Sequence, residues 1–174
     1  DVIDSGFCFH SVQTIQLMQS FLDLHPSLKP RKLLNTHLHS DHCGGNRALQ
    51  DTFQFTCVVP EHEFSSVNNW SLAKQSFDDL GQPCPKFTAV DSLKTGSTVQ
   101  IGLIDFEIHG TPGHNPHSIL LFAPSLGLLI SADALWQKGF GALFSEVSHQ
   151  TGFQDQRATL QLIKSLPVKI VVPG

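Results

Sequence analysis

The sequence contains no tyrosine, a single methionine and no CxxC pair among its four cysteines. The cysteines are scattered, at Cys8, Cys43, Cys57 and Cys84. This scatter argues against a disulfide framework and against a structural zinc site, because both use characteristic cysteine spacings. We therefore expect free thiols that are mostly buried.

Acidic residues only slightly outnumber basic ones, and the sequence has no long apolar run. The net charge is −4 and the pI is near 6.2, which predicts no basic surface for nucleic acid or an anionic membrane. No segment approaches the ~20 apolar residues of a membrane helix. There is no signal peptide, and the sequence opens at Asp1 without methionine, so we interpret it as an excerpt that can lack a targeting segment. We expect a cytoplasmic protein with a small-molecule substrate and with neither nucleic acid nor membrane as a partner.

The remaining composition is that of an ordinary globular domain, with 174 residues, 40% of them hydrophobic. Apolar periodicity predicts helices near residues 11–24, 47–49, 61–69, 71–80 and 153–166. Short apolar runs predict strands near residues 2–3, 32–35, 55–59, 87–90, 97–101, 103–109, 118–122, 127–131 and 168–172. Alternating βα units followed by hairpins predict an α/β (α+β) fold with two sheets packed face to face and helices outside.

One stretch, residues 34–47, carries most of the chemistry. It places His37, His39, Asp41 and His42 within six positions, directly before two glycines. Four such side chains are costly to desolvate together unless they are paired or bind a metal ion. Imidazole and carboxylate suit zinc or a similar first-row ion. The stretch therefore predicts a metal site.

The position of this stretch supports the same interpretation. It follows a predicted strand, and Asn46 is placed to cap the next helix, so the cluster lies at the carboxyl end of a strand. On extended backbone His37 and His39 point to the same side, since side chains repeat every two residues. Asp41 and His42 follow after the chain begins to turn, and can face a second point.

Two further residues stand at the ends of predicted strands. His114 closes the turn Thr-Pro-Gly-His, and Asp133 ends an apolar run. Alone, His114 is more typical of a loop histidine, and Asp133 of a helix N-cap or an ion-pair partner. Beside a metal-binding stretch, both become candidate ligands, because a metal site gathers ligands from distant strand ends.

Taken together, the motifs resemble those of the metallo-beta-lactamase superfamily and, within it, the glyoxalase II-like hydrolases. The matching segments, in chain order, are DSG at 4–6, the HxHxDH stretch at 36–45, TPGH at 111–114, SAD at 131–133 in place of the usual TGD, and VVPG at 171–174. The resemblance spans essentially the whole chain.

The resemblance implies a four-layer αββα sandwich, with residues 1–174 forming a single domain that lacks its N-terminal strands and its C-terminal portion. It implies a binuclear site for two divalent metal ions, zinc first and iron or manganese as alternatives. His37, His39 and His114 would hold the first ion. Asp41 and His42 would hold the second, with Asp133 bridging both. The last family histidine would follow Gly174.

The chemistry implied is hydrolysis of a small ester, lactone or thioester by a metal-bound hydroxide. Asp41 is both a ligand and a candidate catalytic group, and the ligand role is favoured. An iron persulfide dioxygenase of the same fold and an inert metal-binding remnant remain alternatives. Trp136, Phe140 and Phe144 can line a substrate pocket or pack in the core, and His117 is not expected to be a ligand.

Overall fold

The structure is a computed structural model that describes residues 1–79, 81–143 and 151–174. It divides into two compact units, residues 1–92 and 93–174. Each unit is built around one sheet. The prediction that residues 1–174 form a single domain stays a prediction.

The first unit contains a four-stranded sheet in the order β1-β2-β3-β4. Its strands are β1 (Val2–Ile3), β2 (Lys32–Leu34), β3 (Thr56–Pro60) and β4 (Ala89–Leu93). Its helices are α1 (Ser11–Leu24), α2 (Ser40–Cys43), α3 (Asn46–Phe53), α4 (Glu61–Asn68) and α5 (Trp70–Asp79), with a 3₁₀ turn at Cys8–His10 before α1. β1, β2 and β3 are parallel, with Leu33 opposite both Val2 and Cys57. Parallel strands joined by helices form the βα units that the sequence predicts.

The core of the first unit lies on the central strands. Leu33, Cys57, Val59 and Phe87 have no exposed surface. Truncating a side chain such as Leu33 to alanine would cost about 2–5 kcal/mol, because it would leave a cavity among close-packed neighbours. β2, the strand that leads into the histidine-rich stretch at residues 34–47, is therefore anchored in a closely packed core.

The second unit contains a five-stranded sheet in the order β5-β6-β7-β8-β9. Its strands are β5 (Thr98–Ile101), β6 (Ile104–Gly110), β7 (Ile119–Ala123), β8 (Leu128–Ala132) and β9 (Ile170–Pro173). The pairs from β5 to β8 are antiparallel hairpin neighbours, and β9 joins β8 in parallel. A parallel neighbour requires a crossover connection. That connection includes α6 (Gly152–Ser165).

Burial in the second unit centres on β7, in which all five residues are buried. Leu120, Phe122 and Leu129 pack with Ile163 of α6. The Thr151 hydroxyl donates to the Asp155 carboxylate at 2.8 Å, which ties the first turn of α6. This packing fixes the end of β8, where Asp133 follows.

Most predicted elements are confirmed within two residues of their bounds. The exceptions are the helix predicted near residues 47–49, which runs over Asn46–Phe53, and the strand predicted near residues 87–90, which lies at Ala89–Leu93. Two further details are wrong. The turn expected at Asp41 and His42 is a short helix, since residues 40–43 form α2. Asn46 does not cap α3 from outside; it is the first residue of the helix, and Gly45 precedes it without a side-chain cap. Among the described residues, no helix is long and apolar enough to cross a membrane.

Candidate metal centre

The first unit gathers three histidines beyond the end of β2. His37, His39 and His42 are 0%, 5% and 7% exposed. The ring centroid of His37 lies 4.6 Å from that of His39 and 4.1 Å from that of His42. The central stretch therefore brings these three imidazoles together, whereas the sequence left His42 to face a second point.

The tautomer of His37 follows from its neighbour. The Thr36 hydroxyl donates to Oδ2 of Asp4 at 2.8 Å, so its oxygen is left to accept a proton from Nδ1 of His37 at 3.2 Å. In a neutral imidazole, a proton on Nδ1 leaves the lone pair on Nε2. That Nε2 lies 3.1 Å from Nδ1 of His39.

His42 is oriented by the same carboxylate. Its Nδ1–H donates to Oδ2 of Asp4 at 2.8 Å, which leaves Nε2 as its candidate ligand atom. Asp4 also accepts the Thr36 backbone N–H at 2.9 Å, and its own φ is 55°, a left-handed value uncommon outside glycine. Strained backbone of this kind clusters at functional sites.

The donor set fits a metal ion. Two ligand nitrogens bound to one tetrahedral zinc at ~2.0–2.1 Å stand about 3.3 Å apart. The facing nitrogens of His37 and His39 are 3.1 Å apart. A carboxylate or hydroxyl behind each metal-bound imidazole is the usual arrangement at such sites, and Asp4 and Thr36 supply it here.

Asp41 differs from the three histidines. Its side chain is 64% exposed, and Oδ2 lies 3.8 Å from Nε2 of His42. The carboxylate therefore stands at the edge of the cluster, open to solvent, beside the ligand atom of His42.

A polar network lies directly behind the histidines. The Asn46 amide donates to Oδ1 of Asn35 at 2.7 Å, and the Ser5 hydroxyl donates to Oδ1 of Asn46 at 2.7 Å. All three residues are buried. This network explains why Asn46 is not a helix cap: its side chain ties β2 to the loop after β1.

The two glycines after His42 are required by close packing. Gly44 and Gly45 both have ordinary right-handed backbone, with φ of −61° and −81°. A Cβ on Gly45 would lie 2.5 Å from the Ser5 carbonyl oxygen, and one on Gly44 would clash with the Ser40 carbonyl oxygen. Both positions therefore require glycine, because a side chain at either one would collide with neighbouring backbone.

The second unit brings together the other two predicted ligands. His114 and Asp133 are 8% and 7% exposed. Nδ1–H of His114 donates to the Ala142 carbonyl oxygen at 2.6 Å, so in the neutral ring the lone pair is on Nε2. Nε2 lies 3.3 Å from Oδ2 of Asp133. These two ligand atoms face each other as those of His37 and His39 do.

Asp133 is held from several sides within this unit. Trp136 Nε1–H donates to Oδ1 at 3.0 Å, so the interaction with His114 involves Oδ2. Ala132, directly before it, has a φ of 43°. A Cβ on Gly141 would lie 2.6 Å from Nδ1 of His114 and 2.9 Å from Cβ of Asp133.

Three supporting groups could not be predicted from the sequence: the Asp4 carboxylate, the Trp136 indole and the Ala142 carbonyl. Asp4 belongs to the recognised DSG segment, but its partner is 38 residues away. Trp136 was expected to line a pocket or pack in the core; it is 40% exposed, and Phe140 is 37% exposed. Phe144 lies outside the described residues.

A comparison with known families identifies the superfamily of this chain. The family model of the metallo-beta-lactamase superfamily matches residues 8–174. The chain belongs to the metallo-beta-lactamase superfamily. This confirms the resemblance drawn from the motifs.

Several superfamily members are similar in sequence. A hydroxyacylglutathione hydrolase from Thermosynechococcus vestitus is 33% identical over 114 residues, which is 66% of this chain and 38% of that protein. One from Legionella pneumophila (strain Lens) is 27% identical over 96% of this chain and 53% of its own length. The probable metallo-hydrolase YqgX from Bacillus subtilis is 32% identical over 66% of this chain and 54% of its own length. The chain thus matches about half or less of these curated relatives.

Solved structures show the same fold. The BLEG-1 B3 metallo-beta-lactamase has a TM-score of 0.69 and 27% identity, over 91% of this chain and 75% of that one. TTHA1623 in a di-iron-bound form has a TM-score of 0.72 and 24% identity, over 99% of this chain and 79% of that one. The expected mixed α/β fold with two sheets is confirmed.

Proposed function

We propose that this superfamily member is a metal-dependent hydrolase that cleaves a small ester, lactone or thioester. One observation carries the proposal: the ligand nitrogens of His37 and His39 face each other at 3.1 Å in a buried cluster. Nitrogen lone pairs at that distance repel each other unless a proton or a cation lies between them. A cation satisfies both.

The proposed ligand set draws on both units. His37, His39 and His114 hold one divalent ion, Asp41 and His42 hold another, and Asp133 bridges the two. Zinc is the first choice, because three imidazoles and a carboxylate are ligands it prefers. The order of motifs along the chain, which matches the family resemblance, supports joining the two clusters into one centre.

When bound, paired divalent ions would lower the pKa of a coordinated water towards about 7, which would supply hydroxide at neutral pH. The protein's own groups provide orientation. Asp4 holds the Nδ1 proton of His42, the Ala142 carbonyl holds that of His114, and Trp136 holds one oxygen of Asp133. The exposed Asp41 carboxylate is placed to bind a cation and to accept a proton at its free oxygen.

A thioester is the first substrate to test. Two of the relatives described above carry the name hydroxyacylglutathione hydrolase, and they are 27–33% identical to this chain. A bound substrate acyl group needs its carbonyl oxygen polarised and its leaving thiolate stabilised. Clustered cations serve both needs.

The test measures metal content and turnover on the same preparation. The protein is loaded with zinc, iron or manganese and assayed on thioester, lactone and ester panels. We expect about two equivalents of metal and hydrolysis on at least one panel, and loss of both in the His37→Ala/His39→Ala double variant. His62→Ala is the matched control, since that side chain is 69% exposed on α4.

Other outcomes would reject the proposal. One equivalent of iron with oxygen consumption on a persulfide would identify a dioxygenase. Two equivalents of metal with no turnover on any panel would identify an inert metal-binding protein.

A further inference from the structure

Two of the four cysteines, distant in sequence, are in contact in the first unit, and a third contacts the residue beside one of them. Sγ of Cys43 is 3.8 Å from Sγ of Cys84, 41 positions later. The Cys8 thiol donates to the Pro83 carbonyl oxygen at 3.3 Å. Nothing in the sequence predicts this grouping, because the cysteines lack any recognised spacing.

The segment that carries Cys84 is fastened to α2 at two points. The Ser40 backbone N–H, at the start of α2, donates to Oε1 of Gln82 at 3.1 Å. Cys43, at the end of α2, contacts Cys84. Residues 81–88 have no helix or strand, so this segment can adjust without breaking a regular hydrogen-bond pattern.

We propose that Cys43 and Cys84 form a reversible intrachain disulfide bond when the protein meets a peroxide or a disulfide oxidant. With a peroxide, the Cys84 thiol is oxidised to a sulfenic acid and one water leaves. The Cys43 sulfur then attacks the Cys84 sulfur, an S–S bond forms and a second water leaves. With oxidised glutathione, two successive thiol exchanges give the same bond and release two glutathione thiols.

The distances make this pair the favoured one. A disulfide has an S–S length of about 2.05 Å, so the sulfurs must approach by less than 2 Å from their present 3.8 Å. Cys84 is half-buried and accessible to a small oxidant, whereas Cys43 is fully buried. A small oxidant therefore meets Cys84 first, and Cys43 supplies the second sulfur.

The bond would fasten a loop to the metal-binding stretch. Cys43 directly follows His42 and closes α2, the helix that also carries Asp41. A covalent link to residue 84 would limit the motion of α2. The proposal concerns the thiols alone, so it stands whether or not the protein hydrolyses a thioester.

The experiment treats the protein with about one equivalent of hydrogen peroxide, and separately with oxidised glutathione. Remaining thiols are counted, and the linked peptides are identified by mass spectrometry. We expect loss of two thiols, a mass decrease of about 2 Da for a two-electron oxidation and a Cys43–Cys84 peptide. Dithiothreitol should reverse all three. The unfolding temperature should rise by about 5–10 °C, because the link closes a long loop.

Matched variants make the result decisive. Cys84→Ser should keep all its thiols after mild treatment and show no rise in unfolding temperature. Cys57→Ala and Cys8→Ala should still lose two thiols and still form the link. Retention of all four thiols in the unmodified protein, a link between Cys8 and Cys84, or a dimer joined between chains would each overturn the proposal.

Discussion

Asp4 and His42 are joined by a 2.8 Å hydrogen bond between a carboxylate oxygen and Nδ1 of the ring. One residue follows β1 and the other lies in α2, so two βα connections meet at this bond. The same carboxylate accepts the hydroxyl and the backbone N–H of Thr36. Through Thr36 and His42, Asp4 fixes the protons of two candidate ligands.

Removing this carboxylate should weaken metal binding. We predict that Asp4→Ala lowers zinc affinity by about 10- to 100-fold, the range seen when groups behind a ligand are lost. Asp4→Asn keeps an acceptor for His42 and should give an intermediate value. Competition titration with a zinc chelator measures both. Asp105→Ala, at an exposed position on β6, is the control, and an equal loss in that variant would contradict the role given to Asp4.

Trp136 should act through Asp133. The variant Trp136→Phe keeps the aromatic bulk but removes the Nε1–H that donates to Oδ1 at 3.0 Å. We expect about a tenfold loss of zinc affinity, because the carboxylate is no longer held in one orientation. Trp70→Phe, which alters an aromatic contact with Phe87 in the first unit, should leave zinc affinity unchanged. Unchanged affinity in Trp136→Phe would show that the indole has no such role.

Gly141 is expected to tolerate no side chain. A Cβ there would stand 2.6 Å from Nδ1 of His114, so Gly141→Ala must displace the ring from the Ala142 carbonyl. We predict that Gly141→Ala no longer binds zinc and that it unfolds at a lower temperature. Lys138→Ala, exposed in the same connection, should change neither. Full zinc binding by Gly141→Ala would mean that His114 does not need its present position.

The buried thiol of Cys57 should make the free energy of unfolding depend on pH. Burial raises the pKa of its thiol from 9.0 to about 12. Between these values the unfolded chain loses the thiol proton while the folded protein keeps it, so stability falls as pH rises from about 9 to 12. The loss is at most about 4 kcal/mol. Chemical denaturation across this pH range should show a shallower decline of the free energy of unfolding in Cys57→Ala. Identical slopes of the free energy of unfolding against pH in the two proteins would contradict the raised pKa.

The histidine cluster could be predicted because its residues are close in sequence. His37 and His39 alternate on extended backbone, and their density at the end of a strand indicates a metal site. His114 and Asp133 needed the family resemblance, since nothing local separates them from an ordinary loop histidine and an ordinary helix cap.

The supporting contacts could not be predicted, because they depend on residues distant in sequence. Asn46 has the right identity and place for a helix cap, yet its amide binds Asn35 across the network behind the histidines. Cys43 and Cys84 meet only because the loop at residues 81–88 folds back onto α2. Local propensity carries no information about such partners.

We propose that the two histidine-containing clusters hold the same pair of metal ions. Anomalous scattering from crystals of the protein at the zinc, iron and manganese edges would locate the ions. We predict two peaks within about 2.0–2.2 Å of ligand atoms, with His37 and His39 sharing an ion with His114, and Asp133 contacting both ions. Peaks bound by residues of one unit alone, or no peak in crystals grown with excess metal, would contradict it.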